Sequence, residues 1–233
     1  MVDLSDEMAE LWGVLGAPLA GRARAIQFVG ATAGEGTSTV AREFAWHAAT
    51  RAGRRTWLVD LDLMASSQAA DIAADAKRYG GLGPPVAASP DGSAFFTVQP
   101  PLRRPDGRPW PDARYLSAHA VGGTSLWVTQ FRRDALRGRQ TVHILPTADY
   151  WNALRRHADL IVIDAPPADR SQAGLTVAPF IDDTVLVVTA DQADVRAPAR
   201  LRDAIHGAGG ACAGLFFNRA SVEPPKFLKG VLP

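Results

Sequence analysis

The sequence predicts a single doubly wound α/β domain, in which a mostly parallel sheet is covered by helices on both faces. Apolar runs of strand length recur along the chain, and segments with apolar residues at helical spacing alternate with them. Continuous apolar runs are typical of strands buried on both faces, as in parallel sheets. Several of these runs also end in polar residues, at the sheet edge where doubly wound proteins bind ligands.

The composition is that of an ordinary globular protein. Of the 233 residues, 47% are hydrophobic and 21% are charged, and this length is sufficient for one sizeable core. The formal net charge of +1 argues against a general nucleic-acid-binding protein, although a local basic patch is compatible with it.

The expected location follows from hydropathy and from the first residues. No apolar run approaches the roughly 20 residues that cross a bilayer. Residues 1–7 are acidic, unlike a signal peptide. We therefore expect a cytoplasmic protein that reaches the inner membrane only through a partner.

The first half of the chain predicts a regular start and then an interruption. A helix is expected over residues 5–15, with Ser5 as its N-cap. It is followed by a strand at 25–29, a helix at 37–51 closed by Gly53, a strand at 56–62 and an alanine-rich helix at 66–78. Residues 80–122 are rich in proline and glycine, and we expect an irregular excursion there. Trp110, within it, is a candidate partner contact.

Regular alternation resumes after the excursion. Strands are predicted at 126–131, 141–145, 160–164, 184–188 and 213–218, and helices at 149–157 and 195–206. The domain would therefore span residues 22–220. An N-terminal helix and linker at 1–21 would precede it, and a tail at 221–233 would follow.

The stretch from Ile26 to Ala41 reads as an apolar strand, a glycine-containing turn and a helix. Such a turn directs backbone N–H groups and the positive end of a helix at an anion, usually a phosphate. Phosphate-binding P-loops end in Gly-Lys-[Ser/Thr], whereas position 37 here is threonine. The stretch therefore predicts a phosphate site without its usual lysine.

Polar side chains also end three other predicted strands. These are Asp60 and Asp62 on the second strand, Asp164 on the 160–164 strand, and Asn218 on the last strand. A single aspartate at a strand end is more often a turn former or a helix cap. Together with the loop, however, these residues predict a nucleotide site at the carboxyl edge of the sheet.

Four motifs resemble those of the bacterial tyrosine kinases (BY-kinases) that control capsular and exopolysaccharide synthesis, within the ParA/MinD class of P-loop ATPases. They are Ala33-Gly34-Glu35-Gly36-Thr37-Ser38-Thr39, Val59-Asp60-Leu61-Asp62, Ile161-Val162-Ile163-Asp164-Ala165-Pro166-Pro167 and Phe217-Asn218-Arg219. They correspond to the family's Walker A, Walker A′, Walker B and terminal Leu-Asn-Arg motifs. The Gly-Glu-Gly element is more typical of the polysaccharide branch than of ParA or MinD proteins. The resemblance covers roughly residues 20–220, and the excursion matches poorly.

The resemblance implies that ATP or ADP binds here with Mg²⁺. The phosphates would lie against Gly34, Glu35, Gly36, Thr37, Ser38 and Thr39, and the nucleotide would also meet Asn218 and Arg219, with Asn218 at the adenine. Ser38, Asp60 and Asp164 would serve the metal, and Asp60, Asp62 and Asp164 would carry catalysis. In that scheme Asp60 orients or deprotonates the attacking group, and Asp62 and Asp164 hold the water shell of the metal.

Two lysines of the family pattern are absent. Thr37 replaces the lysine that bridges the β- and γ-phosphates, and Thr32 stands where ParA and MinD proteins carry their signature lysine. Because phosphoryl transfer depends on positioning and charge stabilisation, the missing cation predicts weak or lost transfer. Binding can persist through backbone amides, the helix terminus and Mg²⁺. Arg42, Arg170 and Arg196 are candidates for a substitute cation.

The leading hypothesis is a BY-kinase-like nucleotide-binding protein of a polysaccharide synthesis and export system, for capsule, exopolysaccharide or holdfast. Its partner would be the cytoplasmic segment of a membrane-bound polysaccharide co-polymerase, and no nucleic-acid partner is expected. The C-terminal tyrosine cluster of BY-kinases is missing, and Glu7 is followed by Glu10 and Gly13 where their ring-forming helix carries arginines. The alternatives are an active ATPase or tyrosine kinase with a substitute cation, and a ParA/MinD-like positioning ATPase; a homo-oligomer also stays open.

Overall fold

A computed structural model of the chain describes residues 4–16, 23–189 and 194–219. The strands are β1 Arg24–Gly30, β2 Arg55–Asp60, β3 Val86–Ala87, β4 Phe96–Gln99, β5 Leu116–Ala120, β6 Leu126–Phe131, β7 Thr141–Ile144, β8 Ala158–Asp164, β9 Asp183–Thr189 and β10 Cys212–Asn218. The helices are α1 Ser5–Leu15, α2 Thr37–Ala49, α3 Gln68–Ala74, α4 Ala76–Tyr79, α5 Asp149–Arg155, α6 Ala173–Val177 and α7 Ala197–Gly207. Short 3₁₀ helices occur at Asp112–Tyr115, Arg133–Ala135 and Ala178–Phe180.

Eight strands form the central sheet, in the order β10-β9-β1-β8-β2-β6-β5-β3. All neighbours from β10 to β6 are parallel, whereas β5 and β3 are each antiparallel to the strand before them in that order. Strands β4 and β7 form a separate antiparallel pair. The predicted mostly parallel α/β sheet is therefore confirmed.

Both faces of the sheet are buried. On one face α2 packs its apolar stripe on the sheet, and Val40, Phe44 and Ala48 are fully buried there. Helix α1 lies outside α2, with Met8 buried in the same cluster. On the other face α5, α6 and α7 cover the sheet, together with the β4–β7 pair. Apolar positions at helical spacing therefore determine which side of each helix faces the sheet.

The excursion at 80–122 is more ordered than the sequence indicated. It contains β3, β4 and β5, and β5 with β3 extends the central sheet beyond β6. Its two ends meet, because the N–H of Gly122 donates to the carbonyl of Gly81 (2.9 Å) and a bridge joins Leu82 to Val121. A Cβ atom on Gly122 would overlap the carbonyl oxygen of Tyr79. Glycine is therefore required where the chain closes on itself.

Several helix boundaries differ from the sequence expectations, and α1, α2 and the 66–78 segment show this most clearly. The N-cap of α1 is Leu4, and Ser5 is already helical. Helix α2 ends with Thr50 as its C-cap, before Gly53. The helix expected at 66–78 is two helices, because Asp75 leaves helical geometry (φ −117°, ψ 58°) between α3 and α4. The tail at 221–233 lies outside the described residues.

Within the described ranges, no helix combines the length and the apolar character needed to cross a membrane.

The closure of the excursion is tested by comparing Gly122→Ala with Gly123→Ala. Both glycines have positive φ (49° and 70°), so both substitutions introduce about 1 kcal/mol of left-handed strain. Only position 122 adds a steric overlap, since nothing lies within 4 Å of a Cβ atom at 123. In chemical denaturation we expect Gly122→Ala to lower the free energy of unfolding by about 2 kcal/mol more than Gly123→Ala. Equal losses would show that the close approach is not formed.

Candidate functional site

The carboxyl ends of β1, β8 and β2 meet at one edge of the sheet. Asp164 is the register partner of Phe28 on one side and of Asp60 on the other. A cleft of about 380 Å³ opens at this edge. Its lining includes Gly34, Glu35, Gly36, Thr37, Ser38, Thr39, Asp62, Asp164, Arg170 and Arg219. Nearly all the residues singled out from the sequence therefore converge on one cleft; Asp60 and Asn218 lie immediately behind its lining.

The turn between β1 and α2 has the backbone of an anion cradle. Gly34 and Gly36 both have positive φ (89° and 81°), which an L side chain adopts only with strain. Gly36 is the N-cap of the 13-residue helix α2, and no side chain caps this end. The first N–H groups of the helix are therefore available to a ligand at its positive end.

Glu35 and Thr37 turn inward from this loop. The side chain of Glu35 is only 2% exposed, and its Oε2 accepts a hydrogen bond from the N–H of Thr32 (3.1 Å). A Cβ atom on Gly30 would collide with that carboxylate and would lie 2.8 Å from the hydroxyl of Thr37. The position of the P-loop lysine is therefore filled by a short, buried hydroxyl beside a carboxylate.

Asn218, at the end of β10, holds the loop in place. Its Nδ2 donates to the carbonyl of Glu35 (2.8 Å), and its amide lies directly against Gly36. This contact joins residues that are 183 positions apart in the sequence. The adenine contact that the resemblance implies for Asn218 stays a prediction.

Gln68, the first residue of α3, links the two buried carboxylates and was not singled out from the sequence. Its Nε2 donates to Asp164 Oδ2 (2.6 Å) and to the carbonyl of Ser38 (2.9 Å). Its N–H donates to Asp60 Oδ2 (3.2 Å), and its Oε1 accepts from Arg42 (3.0 Å). A polar residue opening an alanine-rich helix was the only sequence signal, and it is a weak one.

Asp60 and Asp164 are both protonated more easily than free aspartate. Burial raises the pKa of Asp60 to about 8, with a further increase from the neighbouring Asp164. Burial also raises the pKa of Asp164, to about 6, against the opposing hydrogen bond from Gln68. Both oxygens of Asp60 accept backbone N–H groups, from Asp62 (3.0 Å) and Gln68 (3.2 Å). Asp60 thus also acts as the turn former that follows β2.

Two arginines line the cleft. Arg170 is ion-paired with Asp62, and Arg219 adopts a positive φ of 58° at the end of β10. Arg42 instead lies beneath, bonded to Gln68 and to Asp71 (2.9 Å). Arg196 caps α7 and is not among the described cleft residues. Of the substitute cations considered from the sequence, only Arg170 faces the cleft.

The donor set fits a magnesium ion that shares its coordination with a phosphate ligand. Oδ1 of Asp164 is buried and has no hydrogen-bond partner. The described residues contain no cluster of three or more metal-binding side chains. Magnesium held by one or two protein oxygens, phosphate and water needs no such cluster. The orphaned oxygen of Asp164 and the hydroxyl of Ser38 are the groups best suited to it.

The three tyrosines of the chain are all buried. Tyr79, Tyr115 and Tyr150 have exposed fractions of 4%, 2% and 0%. The hydroxyl of Tyr79 also donates to Glu43, and burial raises the pKa of Tyr79 to about 12. None of them is therefore presented as a phosphate acceptor.

The raised pKa values of the aspartate pair predict a pH effect on stability. The folded protein holds protons on Asp60 and Asp164 up to pH about 8 and about 6, whereas unfolded aspartate releases them near 3.8. The favourable contribution of this pair to the free energy of unfolding is therefore complete below pH about 4, and it is lost as the pH rises to about 8. Denaturation across this range should show a falling free energy of unfolding, with a smaller slope in Asp60→Asn. The exposed Asp134→Asn is the control, and equal slopes in both variants would contradict the assignment.

We compared the chain with known protein families, sequences and solved structures, and only solved structures matched. No protein-family model and no curated protein sequence matches the chain. Among solved structures, the kinase domain of the Escherichia coli tyrosine kinase ETK gives a TM-score of 0.56 at 14% identity, over 93% of this chain and 75% of that one. The kinase domain of VpsO gives 0.55 at 16% identity, over 93% of this chain and 95% of that one.

MinD from Pyrococcus horikoshii OT3, solved as a complex with Mg-ADP, gives a TM-score of 0.57 at 16% identity. That match covers 90% of this chain and 77% of the MinD chain. Structural matches at these TM-scores and identities show a shared fold alone. The chain therefore has the P-loop NTPase fold that bacterial tyrosine kinase domains and MinD-type ATPases have in common.

Proposed function

We propose that this chain is a BY-kinase-like nucleotide-binding protein with little or no phosphoryl transfer, and that it serves a bacterial polysaccharide synthesis and export system. The observation that carries the proposal is the cradle between β1 and α2. Its glycine backbone and uncapped helix terminus suit a phosphate, while Thr37 stands where the bridging lysine is expected.

The proposed ligand is ATP or ADP with Mg²⁺, as in the MinD complex of the same fold. The amides of residues 34–39 would bind the phosphates, and the cleft between the cradle and Arg219 would receive the rest of the nucleotide. Ser38 and Asp164 would hold the ion, which would supply positive charge between the phosphates when bound. The remaining residues that line the cleft would position the ligand.

Electrostatics support the proposed loss of transfer. In the described cleft the cationic side chains are Arg170 and Arg219, and Arg170 is already paired with Asp62. Glu35 adds a buried carboxylate beside Thr37. A transition state that spreads negative charge over the γ-phosphate therefore finds less stabilisation here than in a lysine-containing loop. The buried tyrosines are consistent with a protein that does not phosphorylate itself on tyrosine.

The polysaccharide role rests on the Gly34-Glu35-Gly36 element and on the fold shared with ETK and VpsO kinase domains. The partner proposed for it is the cytoplasmic segment of a membrane-bound co-polymerase.

Restoring the lysine is the central test. We expect Thr37→Lys to bind Mg-ATP roughly ten-fold more tightly than wild type in calorimetric titration, because it adds a charged hydrogen bond to phosphate. We expect turnover to be close to background in wild type and to rise in this variant. Thr50→Lys adds the same charge at the opposite end of α2 and should change neither quantity.

Two results would count against the proposal. Absence of Mg-ATP binding to wild type and to Thr37→Lys would show that the cleft does not take nucleotides. Weaker binding by Thr37→Lys than by wild type would show that the cradle is built for another ligand.

An active enzyme with a substitute cation is a second candidate, because Arg170 lines the cleft. Under the leading proposal, turnover stays near background and Arg170→Gln leaves it unchanged. Arg156→Gln is the matched control, since Arg156 is similarly exposed (57% against 56%) and is also paired with an aspartate. A clear wild-type turnover that falls about a hundred-fold in Arg170→Gln, but not in Arg156→Gln, would favour the active enzyme instead.

A further inference from the structure

Two segments next to strands β5 and β6 bring a set of arginines together. Segment 100–115 leads into β5, and segment 132–140 leaves β6. They pack side by side, since the N–H of Arg132 donates to the carbonyl of Tyr115 (2.7 Å) and Gln140 Nε2 donates to the carbonyl of Pro100 (2.7 Å). We call this the arginine surface; its arginines are Arg103, Arg104, Arg108, Arg114, Arg132, Arg133, Arg137 and Arg139.

The arginine surface carries a concentrated positive charge on a chain whose net charge is +1. The two segments contain these eight arginines and only three aspartates, Asp106, Asp112 and Asp134. Seven of the arginines are exposed, and Arg104 is half-buried. The positive charge is therefore confined to this surface, and the net charge of the whole chain does not reveal it.

These guanidinium groups have no ion-pair partner among the described residues. Elsewhere in the described chain, nine arginines each form an ion pair with a carboxylate. Within the surface, Arg103 bonds only to the backbone carbonyl of Gly107 (2.7 Å). Unpaired guanidinium forks are suited to external phosphates or carboxylates, which they bind with two parallel hydrogen bonds.

Trp110 lies among these arginines and is 41% exposed. The guanidinium carbons of Arg104 and Arg114 lie 4.7 and 4.6 Å from its ring centroid. Two guanidinium groups therefore already contact the ring on which a nucleotide base would have to stack. The ring still presents an amphipathic edge of the kind enriched where proteins meet lipid headgroups.

We propose that the arginine surface docks this chain directly on an anionic phospholipid bilayer, with the guanidinium groups on lipid phosphates and Trp110 at the headgroup level. A protein partner is less well matched. Protein interfaces have an apolar centre, and Trp110 is the only exposed large apolar side chain among the described residues of this surface. The inference goes beyond the proposed function, in which a protein partner brings the chain to the membrane.

Vesicle flotation of the full chain tests the proposal. Wild type should float with vesicles of equal parts phosphatidylglycerol and phosphatidylcholine, and should not float with vesicles of phosphatidylcholine alone. Its binding to the anionic vesicles should weaken as the salt concentration is raised. Arg133→Gln with Arg137→Gln should weaken partitioning on the order of 25-fold, from roughly five-fold per arginine. Arg51→Gln with Arg196→Gln is the matched control, because both residues are exposed and form no ion pair among the described residues. Trp110→Ala should weaken partitioning several-fold.

Three outcomes would overturn it. Equal partitioning of the two double variants would show that overall charge, and not this surface, attracts the vesicles. No flotation with anionic vesicles would exclude the bilayer as the partner. Tighter binding to polyglutamate or to a single-stranded oligonucleotide than to anionic vesicles would assign the surface to an acidic protein or to a nucleic acid. Because none of these variants touches the cleft, Mg-ATP titration reports on the proposed function separately.

Discussion

Gln68 joins three parts of the site that come from distant stretches of the chain. It bonds to Asp164 at the end of β8, and to the Ser38 carbonyl in the first turn of α2. Through its N–H it also bonds to Asp60 at the end of β2. Parallel pairing places Asp60 and Asp164 opposite each other, where two buried charges would repel. Gln68 makes that placement tolerable, because its side-chain amide donates to Asp164 and its backbone N–H donates to Asp60.

This arrangement also explains how the loop keeps its shape without a lysine. The glycine turn is held from beneath by Gln68 and from the side by Asn218, and both contacts are made by neutral amides. Two of the nearby cations are already engaged, Arg42 with Gln68 and Asp71, and Arg170 with Asp62. Affinity for an anion would therefore come mainly from backbone dipoles, and these need only the correct conformation of the loop. Catalysis also needs a full positive charge beside the reacting phosphate.

Sequence reasoning recovered the parts of the fold that local patterns encode. The apolar runs of β1, β8 and β9 and the helical spacing of α2 each identify an element without reference to the rest of the chain. Strands β3 and β5 escaped it, because β3 has two exposed residues and β5 carries Ser117 and His119 within a buried stretch. Their identity as strands depends on pairing with each other and with β6, which no local pattern reports.

The site shows the same division. Residues that follow strands could be placed at one edge from topology alone, because parallel strands bring their carboxyl ends together. The role of Gln68 could not, since its bond to Asp164 joins residues that are 96 positions apart in the sequence. The sequence also could not predict which arginines lie at the cleft. Only the folded chain distinguishes Arg170 on the cleft from Arg42 beneath it.

The bond from Asn218 to the Glu35 carbonyl has a consequence for the order of events in ligand binding. Strand β10 lies at the edge of the sheet, and its last residue fixes the loop through a bond within the chain itself. The conformational entropy of ordering the loop is therefore lost during folding and not during binding. A ligand would enter a preorganised cradle, and its association rate would be governed by diffusion into the cleft instead of by loop closure.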